Sequence, residues 1–289
     1  MKYLNLITLL FLITSCSGTK RVVQATSKET PETIKTLDSI SENVKPIEDT
    51  IPEPIVVAEN GQPTESKPEI ENEISKSFNH YSWTDLLQKH VSHQGNVNYK
   101  GFKADRKAVL NYITNLSENT PNDSWTKEDK LAYWINAYNV LTVDLILRHY
   151  PIESIKDIKK PWDQRYWKLG DKWYNLNEIE HQILRKMNEP RIHFAIVCAS
   201  FSCPKLQNKA FEATNLYGQL TNATKSFLSD SKRNSISENK IELSKIFQWF
   251  SQDFNQNASL IDFLNLYSDV KISEKAKKNF KNYDWTLNE

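Results

Sequence analysis

The aromatic residues are confined to one part of the chain: apart from Tyr3 and Phe11, every Phe, Tyr and Trp lies at position 78 or later. Large rings supply much of the area that a core buries, so a folding unit can begin only near Phe78. The stretch from Ser17 to Ser77 carries six of the eleven prolines, is rich in Glu, Lys, Ser and Thr, and has no aromatic side chain. It cannot bury enough apolar surface to offset chain entropy, and residues 16–77 read as a disordered tether. Residues 78–289 are enough for one domain of ordinary size. A net charge of +1 gives no electrostatic case for a nucleic-acid partner.

The N-terminus reads as a targeting segment. Lys2 precedes the short apolar run Leu4 to Ile13, too short to remain as a membrane-spanning helix. Ile13-Thr14-Ser15-Cys16 resembles the lipobox of bacterial lipoproteins. The expectation is a signal peptide over 1–15, cleavage before Cys16, and a lipid anchor on Cys16 that makes a membrane the partner. Asp and Glu are absent just after Cys16, which favours a bacterial outer membrane with the domain facing the periplasm. An ordinary signal peptide or a membrane-anchored precursor is the alternative.

From Phe78 the pattern alternates helices with short strands and predicts an α+β fold, a single mixed domain of several helices around a small central sheet. Ser82 is placed to cap a first helix. A second runs about Ala104 to Leu116, with Val109, Tyr112, Ile113 and Leu116 on one side. Thr126 with Asp129 approximates a capping box for the longest helix, which Pro151 stops. On it Asn136 and Asn139 share a face, and in so apolar a helix their amides need partners. They either brace an adjacent loop or reach a substrate. Gly170-Asp171 suits the tight turn of a hairpin, and Asn177 with Glu180 reads as the capping box of a helix on which His181 and Arg185 lie one turn apart. Later helices are marked by Tyr217 to Leu228, by Ile246 to Phe254 after Ser244, and by Leu260 to Tyr267. Lys240 to Leu243 and Tyr283 to Leu287 read as strands.

The stretch Pro190 to Leu206, PRIHFAIVCASFSCPKL, carries the chemistry. Alternation predicts a strand with Ile192, Phe194, Ile196 and Cys198 on one face and His193, Ala195, Val197 and Ala199 on the other. Both faces are mostly apolar, which predicts a central strand delivering Ser200, Cys203 and Pro204 to a sheet end, where sites are often built.

LAYWINAYNVLT (131–142), LNEIEHQILR (176–185), the 190–206 stretch and IFQWFSQDF (246–254) resemble the motifs of the domain of unknown function family numbered 547, over most of 82–288. The family includes bacterial lipoproteins and plant proteins and supplies no established reaction. The residues that the resemblance picks out are Trp134, Asn136, Asn139, Glu180, Arg185, Arg191, His193, Cys198, Ser200, Cys203, Pro204, Trp249 and Asp253.

Their chemistry leaves several readings open. In a thiol-dependent hydrolase or acyl transferase, Cys203 or Cys198 is the nucleophile and His193 or His181 the base, oriented by Glu180 or Asp253. Asn136 or Asn139 would donate to an oxyanion. Such parts serve papain-like and transglutaminase-like enzymes, but here both histidines precede both cysteines, so the version would be rearranged. Alternatively Cys198 and Cys203 form a disulfide, or Cys198 is a small buried apolar residue. A zinc set of His181, His193, Cys198 and Cys203 is disfavoured, because a strand sends His193 and Cys198 to opposite faces. Six glycines and no phosphate-cradling loop leave no cofactor to expect. The competing class is a tethered binding module for a glycan or peptide, with Arg185, Arg191, Ser200, Trp249 and Asp253 as binding residues. Trp162, Tyr166, Trp167, Trp173 and Tyr174 would then either stack a ligand or fill a hairpin core.

Overall fold

The computed structural model describes residues 78–256 and 258–289, so the predicted signal peptide, Cys16 and the tether 16–77 lie outside the described residues. Helices α1 (Tyr81–His90), α2 (Tyr99–Ala104) and α3 (Arg106–Glu118) lead into α4 (Lys127–His149), the element the domain is built on. The capping box of α4 forms from Thr126 and Asp129: Thr126 Oγ1 accepts the Asp129 N–H at 3.1 Å, and Asp129 Oδ2 accepts the Thr126 N–H at 3.2 Å. Every residue from Leu131 to Leu147 is buried, because a helix apolar on all sides must be packed on all sides. Its one buried carboxylate in that run, Asp144, accepts from Trp167 Nε1 (2.8 Å), Arg148 Nε (2.7 Å) and Arg106 Nη2 (3.2 Å), which compensates its desolvation. On α3, Val109, Tyr112, Ile113 and Leu116 form the buried face, and Tyr112 stacks on Trp83 of α1 at 5.6 Å. Ser82 does not cap α1; His80 sits at the cap and bonds the Tyr112 hydroxyl at 2.6 Å.

Strands β1 (Trp167–Leu169) and β2 (Lys172–Tyr174) form the antiparallel hairpin, turned by Gly170 at φ 58°, a left-handed conformation that favours glycine. The capping box after it falls two residues before the expected pair. Asn175 and Glu178, rather than Asn177 and Glu180, cap α5 (Leu176–Glu178), with Asn175 Oδ1 accepting the Glu178 N–H at 2.8 Å. The chain continues through a π turn (Ile179–Ile183) and a 3-10 turn (Leu184–Met187). Released from capping, Glu180 points inward. The wide turn is a feature often found at functional sites.

The predicted strand over Ile192–Ala199 does not form. Pro190–Phe194 is a 3-10 turn, capped by the Glu189 side chain on Arg191 N–H, and the following residues cross the interior without a strand neighbour. Two of their backbone groups are met from α4 instead: Asn139 Nδ2 donates to Ala195 O at 2.9 Å, and Asn139 Oδ1 accepts the Val197 N–H at 3.0 Å. An apolar run says only that a segment is dry, not that a sheet satisfies it. The mixed α+β class stands, but its centre is α4.

Beyond this segment α6 (Leu216–Ser229), β3 (Ser235–Ile236), β4 (Lys240–Leu243), α7 (Ile246–Trp249), α8 (Ser251–Phe254), α9 (Leu260–Asn265) and β5 (Lys277–Phe280) follow. Strand β4 pairs antiparallel with β3 and parallel with β5. Phe194, Phe227, Phe247, Phe254 and Phe263 centre a second apolar cluster, while Ile192 and Ile196 belong to the first, around α4. The 190–206 segment therefore joins the two. The terminal residues make isolated bridges at Thr286 and Leu287 rather than a sheet edge. No helix among the described residues is long and apolar enough to cross a membrane.

Candidate functional site

Where the two apolar clusters meet, a cavity of about 170 Å³ opens between the π turn, the 195–204 segment, α7 and the C-terminal residues. Its lining gathers residues far apart in sequence: Tyr138, Glu180, His181, His193, Cys198, Cys203, Phe250 and the aromatic set Trp162, Trp249, Tyr283 and Trp285.

The polar floor is organised by Arg185 and Asp253. The Arg185 guanidinium grips Asp253 with two parallel bonds, Nε to Oδ2 at 2.6 Å and Nη2 to Oδ1 at 2.8 Å. His193 Nε2 meets the same Oδ2 at 2.7 Å, and its ring stacks on Phe250 at 4.0 Å. Burial pushes the Asp253 carboxyl up, but the bonds from His193 and Arg185 outweigh it and hold it well below the usual carboxylate range. His193 is lowered, chiefly by burial. Arg185 Nη1 lies 2.9 Å from His181 Nδ1, and since a guanidinium can only donate, Nδ1 is an acceptor there. His181 is accordingly neutral with its proton on Nε2. Its basicity is lowered by burial and by the Arg185 charge.

Glu180 is the remaining acid of the lining. It is buried, accepts from the Tyr138 hydroxyl at 3.0 Å, and its carboxyl is pushed up to about 7 by burial, against the opposing pull of that bond and of Arg185. It therefore changes charge near neutrality.

Cys198 and Cys203 are joined as a disulfide with their α-carbons 6.2 Å apart. The turn that brings them together is fixed from outside. Ala199 takes a left-handed conformation (φ 57°), Phe201 N–H donates to Thr286 O at 2.7 Å, and Arg233 donates to the carbonyls of Cys203 (2.6 Å) and Phe201. The same terminal segment delivers Tyr283 and Trp285 to the cavity. Tyr283, Trp285 and Trp249 pack with centroids 4.6 to 5.8 Å apart, Trp162 meets Trp285 at 5.9 Å, and Lys156 Nζ sits 4.3 Å above Trp285. Trp249 remains 45% exposed, which leaves a ring face open.

The structure brings together Glu180, His181, His193, Cys198, Cys203 and Trp249 at the cavity, with Arg185 and Asp253 behind them. Asn136 and Asn139 are placed elsewhere. Asn136 exchanges two bonds with Phe211 (Nδ2 to O 2.8 Å, Phe211 N–H to Oδ1 3.0 Å) and Asn139 bonds Ala195 and Val197, so both amides brace loops, and neither lines the cavity where an oxyanion would form. Arg191 does not line the cavity; it pairs with Glu189 at 2.6 Å and reaches Thr221. Ser200 is fully buried behind the sulfurs, 3.2 Å from Cys198 Sγ. A nucleophilic role for either cysteine is blocked while the disulfide stands, and the zinc set loses both thiolates to it. Among the described residues no group of three or more His, Cys, Asp or Glu is arranged to hold a metal ion.

Of the anticipated aromatic cluster, only Trp162 lines the cavity. Trp167 is core, Tyr174 packs on Trp134 at 5.3 Å, and Trp173 and Tyr166 lie on the surface. Sequence reasoning missed Tyr138, Phe250, Tyr283 and Trp285 as site residues. The i, i+2 spacing of Tyr283 and Trp285 was the available signal, since it puts both rings on one side of an extended segment.

No curated protein and no solved structure shows a significant match to the chain. The family match is narrower than the motifs suggested: IFQWFSQDF, with Trp249 and Asp253, falls outside it. Residues 122–228, which hold α4, the hairpin, the π turn and both cysteines of the cavity, match the family described as "Protein of unknown function, DUF547".

Proposed function

We propose that the cavity is a binding site for a small part of a glycan or peptide, presented by a domain tethered to a membrane. The observation that carries this is the open aromatic wall of Trp249, Tyr283 and Trp285 beside the buried carboxyl of Glu180 and the Nε2–H of His181. A mostly apolar pocket with a few convergent polar groups is how small-ligand sites are built. The rings would take a ligand's flat apolar face, while Glu180 and His181 bond its hydroxyl, carbonyl or amide group. A thiol hydrolase needs a free thiolate beside an imidazole, whereas these sulfurs are joined and His193 Nε2 is engaged by Asp253. Those two facts favour binding over hydrolysis.

Tryptophan fluorescence titrated with a panel of mono- and disaccharides and short peptides tests the reading. A saturable change that disappears in Trp249→Ala supports it; a flat response across the panel, or a change retained in Trp249→Ala, overturns it. The tether and anchor are part of the same proposal, as an envelope lipoprotein whose Cys16 carries the lipid and whose domain faces the periplasm. Supporting it are the Lys2 to Ile13 run followed directly by Cys16, and the tether composition. Cys16→Ser should move the protein from the membrane to the soluble fraction and abolish incorporation of a clickable fatty acid.

A further inference from the structure

The disulfide is part of the cavity wall, and its two sulfurs differ in their surroundings. Cys203 is 2% exposed, whereas Cys198 is only partly buried, and both reach the cavity. Cys203 Sγ receives the N–H of Cys198 at 2.8 Å and the Tyr283 hydroxyl at 3.5 Å. Ser200 Oγ donates to the Tyr283 oxygen at 3.1 Å, which leaves the phenol's own hydrogen for sulfur. Burial pushes the Tyr283 phenol up to about 12, so it keeps that hydrogen across the ordinary pH range. Cys198 Sγ lies 3.2 Å from Ser200 Oγ and 3.2 Å from the Tyr283 oxygen, so the phenol sits between the two sulfurs and what sets Cys203 apart is its backbone donor; among the described residues no backbone N–H is aimed at Cys198 Sγ.

A sulfur displaced from a disulfide departs with the bonding pair as a thiolate, and donors already aimed at it favour its departure. The accessible sulfur is thus Cys198, and the sulfur prepared to leave is Cys203. We infer that the Cys198–Cys203 bond is an exchange site for a thiol-bearing small molecule that enters the cavity. The entering thiol loses its proton to solvent, and its thiolate attacks Cys198 Sγ to form a new S–S bond. The Cys198–Cys203 bond breaks, and Cys203 leaves as a thiolate held by the Cys198 N–H, with the Tyr283 O–H between the two sulfurs turning to the new charge. The incoming sulfur is oxidised as far as Cys203 is reduced, so no further oxidant is needed. Return of the Cys203 thiolate to Cys198 Sγ expels the guest and restores the starting bond. The exchange goes beyond the glycan or peptide reading and does not depend on it, since a small thiol needs only access to the cavity.

The test uses the oxidised full-length chain and cysteamine as the probe. The reaction is quenched in acid, free thiols are alkylated with iodoacetamide, and both modifications are mapped by peptide mass. The expected result is cysteamine on Cys198 and carbamidomethyl on Cys203. Tyr283→Phe keeps the ring and removes the hydroxyl, and should slow adduct formation about tenfold with the melting temperature retained. Cysteamine on Cys203 would overturn the inference. So would the absence of any adduct under conditions where the guanidinium-unfolded chain reacts, or a Tyr283→Phe protein exchanging at the parental rate. The adduct position is read on the parent protein and so does not depend on the variant's folding.

Discussion

Replacing Glu180 by glutamine isolates a carboxyl that the fold raises to about 7. The folded-state value of about 7 stands above the ordinary 4.5 because burial disfavours the anion. Between those two values the folded chain binds a proton that the unfolded chain has released, so stability falls as pH rises through this window. The full effect is present below pH 4.5 and is lost by about pH 7. At about 1.4 kcal/mol per pH unit, the loss comes to about 3 kcal/mol. Other groups act in the opposite direction, among them His80 and His181, both lowered chiefly by burial. His193 is lowered by burial, so it favours the fold as pH rises toward 6.5, and depressed Asp253 loses its contribution only in acid. The wild-type curve alone would therefore mix many titrations. The amide introduced by Glu180→Gln retains an acceptor for the Tyr138 hydroxyl and cannot ionise, so subtracting the two urea-denaturation curves measured from pH 4 to pH 8 leaves the Glu180 contribution. The wild type should lose about 3 kcal/mol relative to Glu180→Gln across that range, with most of the change between pH 5 and pH 7. A difference that stays constant with pH would show that Glu180 titrates as an ordinary exposed carboxylate and would refute the inward placement.

Asn139→Ala leaves the Ala195 carbonyl and the Val197 N–H buried without partners, and should cost about 2–5 kcal/mol in chemical denaturation. It should also loosen the segment that carries both cysteines, seen as faster amide exchange over 195–204. Asp253→Asn strips Arg185 of its counter-charge and His193 of its carboxylate acceptor, and should cost about 2–4 kcal/mol at pH 7. Because the depressed Asp253 stabilises the fold above the ordinary carboxylate range and loses that effect only as pH falls below it, the gap between variant and parent should narrow in strong acid.

Much of the helical layer was legible in the sequence because its signals are local. The capping pair Thr126 and Asp129, the apolar stripe of α3 and the Gly170 turn each depend on residues within a few positions of one another. Glu180, His181, His193, Cys198, Cys203 and Trp249, all singled out in the sequence, line one cavity. Their roles were less accessible. Asn175 rather than Asn177 takes the cap, and that two-residue difference decides whether Glu180 faces solvent or the interior. Asn136 and Asn139 had the spacing to share a face, but whether that face meets a ligand or a loop depends on where residues 195–197 and 211 run.

The amino-acid sequence by itself marked where the clustered aromatics begin, at Phe78, and where the long apolar helix starts and stops, because composition and periodicity act within a segment. Only the tertiary structure decided that Ile192–Ala199 crosses the core without a sheet, that the two sulfurs are joined, and that Tyr283 and Trp285 return from the C-terminus to line the cavity. Those outcomes rest on which distant group satisfies a buried backbone or covers an open wall. An apolar pattern records that a partner is needed, and chain topology settles which one arrives.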